Sequence, residues 1–420
     1  MDLSHKEYVE MEQNSKSSCE RRSFLKTAAL TAAGLSILPS RAVFGFDANS
    51  KIELGIVGCG GRGNWIGRLF EKHGNAKVVA VHDYFKDRCD EAQQIFSLDE
   101  GRCHSQLDGY EALVAGSLDA VAVESPPYFH PDQSVAALDA GKHLYLAKPI
   151  AVDVPGCQAI VDAAQRNKSK LSAWVDFQTR ANDSFIGAAE RIHEGFIGKP
   201  VSGQFYYYCE RLHQKTPARN ETARLRNWFF DIALSGDIIV EQNIHVIDVA
   251  NWYLQGHPLK ARGVGGRKAR IDIGDCWDHF IVTYTYADEV LVDFSSGQFT
   301  YGYGDLCMRL YGSEGTVDSH YGGDVVLRGK NKSWEGEKTN TIYESGAVTN
   351  IIKFCDSIRN STPIDNTEES AHSTMTAILG RMAAYTGEEV TWEQMAASTE
   401  QLDPKLDLPA DGHLEALVRG

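Results

Sequence analysis

The segment Gly58-Cys59-Gly60-Gly61-Arg62-Gly63 stands between a six-residue apolar run, 52–57, and a stretch in which Ile66, Leu69 and Phe70 recur at helical spacing. A strand, a glycine loop and a helix in that order leave few folds open, because each glycine has a separate physical task. Gly58 permits the tight turn, Gly60 lets the backbone approach a pyrophosphate, and Gly63 lets the helix pack close on the strand. Gly61 and Arg62 complete the loop at the helix N-terminus, whose free N–H groups and positive dipole end suit phosphate oxygens. Asp83 follows the next apolar run, 78–81, about 20 residues after the last glycine. A carboxylate there accepts from both hydroxyls of a ribose and repels a 2′-phosphate. The expected cofactor is therefore NAD, with NADP less favoured.

The pattern around this loop is that of a doubly wound α/β domain. Apolar runs at 52–57, 78–82, 120–124, 143–147 and 171–177 read as strands, and 131–140 and 155–167 read as helices between the later ones. Such a parallel sheet collects ligands at the carboxyl ends of its strands, where Gly58, Asp83, Ser125 and Lys148 should converge. After residue 184 the pattern changes. A helix at 186–195 leads into a tyrosine-rich strand, 201–209, and a polar stretch, 211–226, reads as a long loop over the crevice. An apolar helix is expected at 238–254, and strands at 261–264, 279–286, 289–294, 308–311, 316–319 and 324–327 suggest a large, mostly antiparallel sheet. Helices at 349–359 and 368–386 close an α+β domain. The expected division is a leader, 1–45, a nucleotide-binding domain, 50–178, a substrate and oligomer domain, 179–392, and a tail, 393–420.

Length and charge narrow the classes of partner. A chain of 420 residues with 43% apolar and 24% charged residues can bury the cores of two domains. A formal charge of -15 opposes nucleic acid or anionic membrane as the main partner. Beyond the first 40 residues no apolar run is long enough to span a bilayer, so no membrane anchor is expected. Near the start, Arg21-Arg22-Ser23-Phe24-Leu25-Lys26 precedes a mildly apolar stretch, 27–38, ended by Pro39. This resembles a twin-arginine export signal, with Glu20 before the arginine pair, and implies a periplasmic protein that folds before export, or a cytoplasmic one if the leader does not function. Folding first would let the chain carry a tightly held dinucleotide outward. The nine cysteines are scattered without a C-x-x-C pair, so free buried thiols are expected.

Chemistry-bearing residues cluster in three places. Asp237, Glu241 and His245 recur every four residues on the apolar helix, forming one polar stripe. A carboxylate one turn from a histidine orients the ring and poises it as a general base, although a satisfied buried pair fits the same spacing equally. Two such ligands without a third do not make a metal site, and none is expected. Lys148 ends a strand at the same edge as the glycine loop, where it can donate to a nicotinamide ribose and steady a developing alkoxide. Ser125, Pro126 and His130 follow another strand and can line the nicotinamide side; a cap or core contact serves His130 as well. Tyr206, Tyr207 and Tyr208 alternate across a strand, so only part of the set can face a substrate.

These segments together resemble the Gfo/Idh/MocA oxidoreductases, over roughly residues 51–392. The resemblance rests on 52–63, on 119–153 with Ser125-Pro126-Pro127, His130 and Lys148-Pro149, and on 235–252. It implies a Rossmann domain followed by an open-faced sheet used in oligomer contacts, a homodimer or homotetramer, and a small carbohydrate or cyclitol substrate. By resemblance Lys148 matches the lysine of a Glu-Lys-Pro motif, His245 the catalytic histidine, and Glu241 an aspartate four residues before it. Gln178 and Arg180 match a stretch near the cofactor. Ala147 stands where the motif has glutamate. The resemblance implies oxidation of a sugar, glycoside or cyclitol hydroxyl. A redox-neutral glycosidase or epimerase using transient oxidation is the alternative within enzymes, and a binding module without turnover is the alternative outside them.

Overall fold

The computed structural model describes residues 50–217 and 219–409, so the twin-arginine leader lies outside the described residues. The first half alternates strand and helix: β1 (Ile52–Val57), α1 (Gly61–His73), β2 (Ala76–His82), α2 (Lys86–Phe96), β3 (Cys103–His104), α3 (Gly109–Ala115), β4 (Ala120–Val123), α4 (His130–Asp139), β5 (His143–Leu146), α5 (Val154–Asn167) and β6 (Ala173–Val175). These strands form one parallel sheet in the order β3-β2-β1-β4-β5-β6. All four residues of β4 are buried, as a strand covered on both faces requires, and this is why it reads as an unbroken apolar run. The strand expected at 171–177 is shorter, Ala173–Val175, and just past its end the Asp176 carboxylate accepts from Asn350 Nδ2.

The second half begins with α6 (Asp183–His193), β7 (Pro200–Cys209), α7 (Glu221–Arg226), α8 (Ile232–Ser235), α9 (Ile238–Glu241) and α10 (Ile244–Tyr253). It continues through β8 (Lys260–Gly266), β9 (His279–Thr285), β10 (Leu291–Gln298), β11 (Asp305–Gly312), β12 (Gly315–His320), β13 (Val325–Gly329) and β14 (Lys332–Glu335). Then come α11 (Ile342–Arg359), α12 (Thr367–Thr386), β15 (Val390–Thr391) and α13 (Trp392–Ala396). The nine strands run β14-β13-β12-β11-β7-β10-β9-β8-β15, antiparallel except for the pair β7–β10. One face carries α12 and the buried row Gly203, Phe205, Met308 and Leu310; the other leaves Val264, Ile281 and Leu291 about half exposed. The stretch expected as a loop at 211–226 ends in α7, capped by the Asn220 side chain on Ala223 N. Helix α11 starts seven residues before the expected 349 and packs Ile351, Phe354 and Ile358 against α1 and the parallel sheet. The eight described cysteines are free thiols.

The expected single helix over 238–254 is two helices. The apolar pattern runs through the segment, but the chain breaks at the polar pair Gln242 and Asn243, whose N–H groups both return to Ile238 O. Asp237 starts α9 at φ 77°, ψ 165°, a region that favours glycine. Its buried carboxylate holds that turn by accepting from Ile238 N, Trp277 N and Tyr385 Oη.

Candidate active site

Strands β1 and β4 are neighbours from which the chain winds in opposite directions, the switch point where open parallel sheets take ligands. A cavity of about 500 Å3 opens there, with Gly58, Gly60, Gly61, Arg62, Asp83, Ser125 and Pro126 in its wall. Gly58 has φ 92°, and a Cβ on it would lie 2.5 Å from Ser125 N. A Cβ on Gly63 would lie 1.8 Å from Gly58 O, so the helix can approach the strand only without one. Gly60 and Gly61 meet nothing within 4 Å, and the first turn of α1 holds no acidic residue. An open cradle of N–H groups without competing negative charge fits a pyrophosphate. Asp83 accepts from Cys59 N at 2.8 Å and from Phe85 N at 2.9 Å, which pins it beside the loop and still leaves lone pairs for ribose hydroxyls. Burial raises its pKa, and those two backbone donors oppose the rise.

The opposite wall comes from the second half of the chain: Lys215, Leu225, Arg226, Trp228 and Phe229. The polar stretch therefore does line the crevice. The Arg226 guanidinium lies 3.9 Å over the Phe85 ring and donates to Asp87 at 2.6 Å, joining the two walls. Beneath them Leu406 and Leu408 pack with Tyr84, Phe85, Leu225 and Leu234, and Tyr84 Oη donates to Pro409 O.

Lys148, Glu241 and His245 meet beyond the β5 end. Because the helix breaks after Glu241, the Glu241 carbonyl is left free, and Lys148 Nζ donates to it at 2.6 Å. The Glu241 carboxylate lies at 3.4 Å from the same nitrogen, a secondary contact. Glu241 thus anchors the lysine, whereas the spacing had suggested that it orients His245. Burial lowers the Lys148 pKa; Glu241 opposes this and Arg62 adds to it. The His245 ring lies tilted by 52° against Tyr321, with centroids 5.6 Å apart. Its Nδ1 has no partner among the described residues. Burial first, then the Lys148 and Arg62 charges, hold its pKa well below the usual value, so the ring is neutral at pH 7.

Arg62 links this cluster to the glycine loop. Its Nε donates to Glu124 at 2.8 Å and its Nη2 to Asp176, while Trp65 and Tyr343, stacked on each other at 4.8 Å, lie beside its guanidinium. The Glu124 side chain is fully buried, and burial lifts its pKa to about 7 against the pull of Arg62. Glu124, Asp176 and Tyr321 were not singled out in the sequence, since each joins the site through tertiary packing.

Other expected residues lie outside the cavity wall. His130 is fully buried, with Nδ1 2.9 Å from Pro149 O and Nε2 2.8 Å from Ser125 O. It ties the Ser125 turn to the residue after Lys148, a positioning role. Gln178 is buried against Gly346 of α11 and donates to Asp176 at 3.2 Å. Arg180 forks onto Asp248 and stacks over Trp252 at 5.4 Å. Asp237 is spent on its own turn and does not share a stripe with Glu241. Of the tyrosines, Tyr207 lies near enough to Glu241 to feel its charge, and Tyr206 on the opposite face donates to Asp305.

On that opposite face the register assembles ligand types that no sequence spacing had shown. Possible metal-ligating atoms of Cys307, Asp318 and His320 lie within 4.8 Å of one another. Arg309 already donates to Asp318 at 2.9 Å, and His320 bridges Asp305 and Asp318 with its pKa raised to about 9. Two cations therefore supply the charge that a metal ion would bring.

Comparison with known proteins agrees with this architecture. Residues 52–175 match a model described as an oxidoreductase family with an NAD-binding Rossmann fold, and residues 185–318 match the C-terminal domain model of the same family. An inositol 2-dehydrogenase of Acidothermus cellulolyticus is 27% identical over 269 residues, 64% of this chain and 72% of the relative. One from Burkholderia ambifaria is 29% identical over 268 residues, 63% of this chain and 72% of the relative. Among solved structures, levoglucosan dehydrogenase in complex with NADH superposes with a TM-score of 0.67 at 17% identity, covering 81% of this chain and 99% of that one. The scyllo-inositol dehydrogenase of Lactobacillus casei gives 0.65 at 19% identity, covering 82% and 99%. With both layers of the fold matched by models of one family, the chain belongs to the GFO/IDH/MocA oxidoreductases.

Proposed function

We propose that the protein is an NAD-dependent oxidoreductase that acts on a hydroxyl of a sugar, glycoside or cyclitol. The observation that carries this reading is the meeting of Lys148 and neutral His245 at the carboxyl edge of the sheet whose glycine loop fits a pyrophosphate. His245 accepts the hydroxyl proton, and Lys148, anchored on the Glu241 carbonyl, donates to the oxygen as negative charge develops. Bound NAD supplies the hydride acceptor. Asp83 favours NAD over NADP through the ribose hydroxyls, and the nearby Arg226 charge is already balanced by Asp87.

A second reading concerns how long the cofactor stays. Arg226 and Trp228 reach across from the second half of the chain to close the nucleotide cavity. That closure supports a tightly held cofactor, consistent with export of a folded, loaded protein to the periplasm, and with redox-neutral chemistry in which the hydride returns to the substrate. Arg226→Ala should speed NADH release about tenfold in stopped-flow fluorescence, as loss of a charge-assisted contact across the cavity predicts. An unchanged rate removes the support for a latch. The half-exposed Val264, Ile281 and Leu291 on the uncovered sheet face support a homodimer or homotetramer. No described helix is long and apolar enough to cross a membrane.

The decisive experiment is to denature the purified protein, quantify released dinucleotide, and follow NADH while screening inositols, sugars and glycosides. NADH formation with one of these substrate classes supports the dehydrogenase. Turnover of a glycoside or epimer without net NADH, by a protein that carries about one NAD per chain, supports the redox-neutral alternative. Cofactor binding with exchange of no substrate C–H hydrogen would reduce the reading to a binding module.

A further inference from the structure

We propose that Glu124 accepts a hydrogen bond from a hydroxyl of the second ribose of a bound dinucleotide, the ribose that carries the nicotinamide. This rests on the dinucleotide reading above. The Glu124 side chain is 0% exposed, and its Oε2 accepts from Arg62 Nε at 2.8 Å. Its Oε1 is buried and has no partner among the described residues. A buried carboxylate oxygen without a donor is costly, and such atoms call for an unseen partner. Arg62 is shared with Asp176, so pairing Arg62 uses only one of the two Glu124 oxygens.

Placement identifies the donor. Glu124 lines the nucleotide cavity next to the glycine loop. The strand order β2-β1-β4-β5 sets four groups in a row along the carboxyl edge: Asp83, the Gly60–Gly61 cradle, Glu124 and Lys148. A dinucleotide laid along that edge puts its first ribose at Asp83 and its phosphates on the glycines. Its second ribose then lies over the end of β4, bringing hydroxyl donors to an acceptor that lacks one. Val123 pairs with Leu146, so Glu124 and Ala147 are the matching successors on β4 and β5. Ala147 has no side-chain acceptor, which leaves Glu124 to supply it at this level of the sheet.

The test compares ADP, which ends before the second ribose, with ADP-ribose, which contains it but lacks nicotinamide. Binding of each to the full chain is measured by calorimetry for the wild type, Glu124→Ala and Glu124→Met. The wild type should bind ADP-ribose more tightly than ADP. At pH 8, above the Glu124 pKa of about 7, both variants should keep ADP affinity and lose about ten- to hundredfold on ADP-ribose, as expected for one hydrogen bond to a charged acceptor. Retained ADP affinity also shows that the loop is folded. Equal losses on both ligands would make Glu124 a support for Arg62 alone and overturn the assignment. So would unchanged ADP-ribose binding, or a wild type that does not distinguish the two ligands. A wild type that binds neither ligand would instead overturn the dinucleotide reading.

Discussion

Gly63→Ala should abolish measurable dinucleotide binding and lower the melting temperature, whereas Gly60→Ala should weaken binding at nearly unchanged stability. The two glycines lie three residues apart in one loop but meet different surroundings. A methyl on Gly63 would sit 1.8 Å from Gly58 O, so helix α1 would have to move away from the turn after β1. Overpacking of this kind costs about 1–3 kcal/mol or more, and here the atom struck is backbone that cannot swing aside. The displaced helix also carries the N–H groups meant for the phosphates, so affinity falls with stability, by more than a hundredfold. Gly60 has φ -70° and nothing within 4 Å, so alanine fits its backbone and touches no protein atom. Its methyl would stand in the cradle itself. Differential scanning fluorimetry with and without NADH separates the cases. A Gly63→Ala protein that melts and binds like the wild type would show that the helix does not need its close approach.

The same contrast shows what the sequence could disclose. The glycine loop, Asp83 and the alternation of apolar runs act over short stretches of chain, so their places in the fold and the parallel sheet were readable from spacing. Lys148 and His245 were readable for the same reason, each lying at the end or on the face of a local element. Glu124 and Asp176 were not, because what makes them part of the site is Arg62 reaching between two strand ends. The break in the expected 238–254 helix was hidden as well. Ile238, Ile239, Val240, Ile244 and Val246 carry the apolar pattern through it, and only tertiary contacts, such as Gln298 Nε2 donating to Gln242, reveal that the polar pair Gln242–Asn243 is a joint. For His130 the sequence left a cofactor contact and a core contact equally open, and packing places the ring between two carbonyls.

That joint gives the second large effect its physical basis. Replacing His245 with glutamine or Lys148 with methionine should each lower kcat about 10²- to 10⁴-fold, with NADH affinity held within a few-fold. In a continuous helix the Glu241 carbonyl would be taken by the amide of residue 245; here it is free and fixes Lys148 Nζ at 2.6 Å. The lysine is thus aimed by backbone, which a methionine cannot use, while the glycine loop that binds the phosphates is untouched. Losses in the double variant should fall short of the product of the single ones, because base and alkoxide donor act on the same oxygen. His245→Gln carries a further signature in pH. The folded imidazole has its pKa well below 6.5, so as pH falls below 6.5 the unfolded chain gains a proton that the folded chain refuses. Stability conferred by the neutral ring is therefore present above pH 6.5 and lost progressively below it. Acid melts of His245→Gln should accordingly fall less steeply between pH 6.5 and 5 than those of the wild type. A variant with full activity, or one that loses NADH binding together with turnover, would remove His245 and Lys148 from the chemical step.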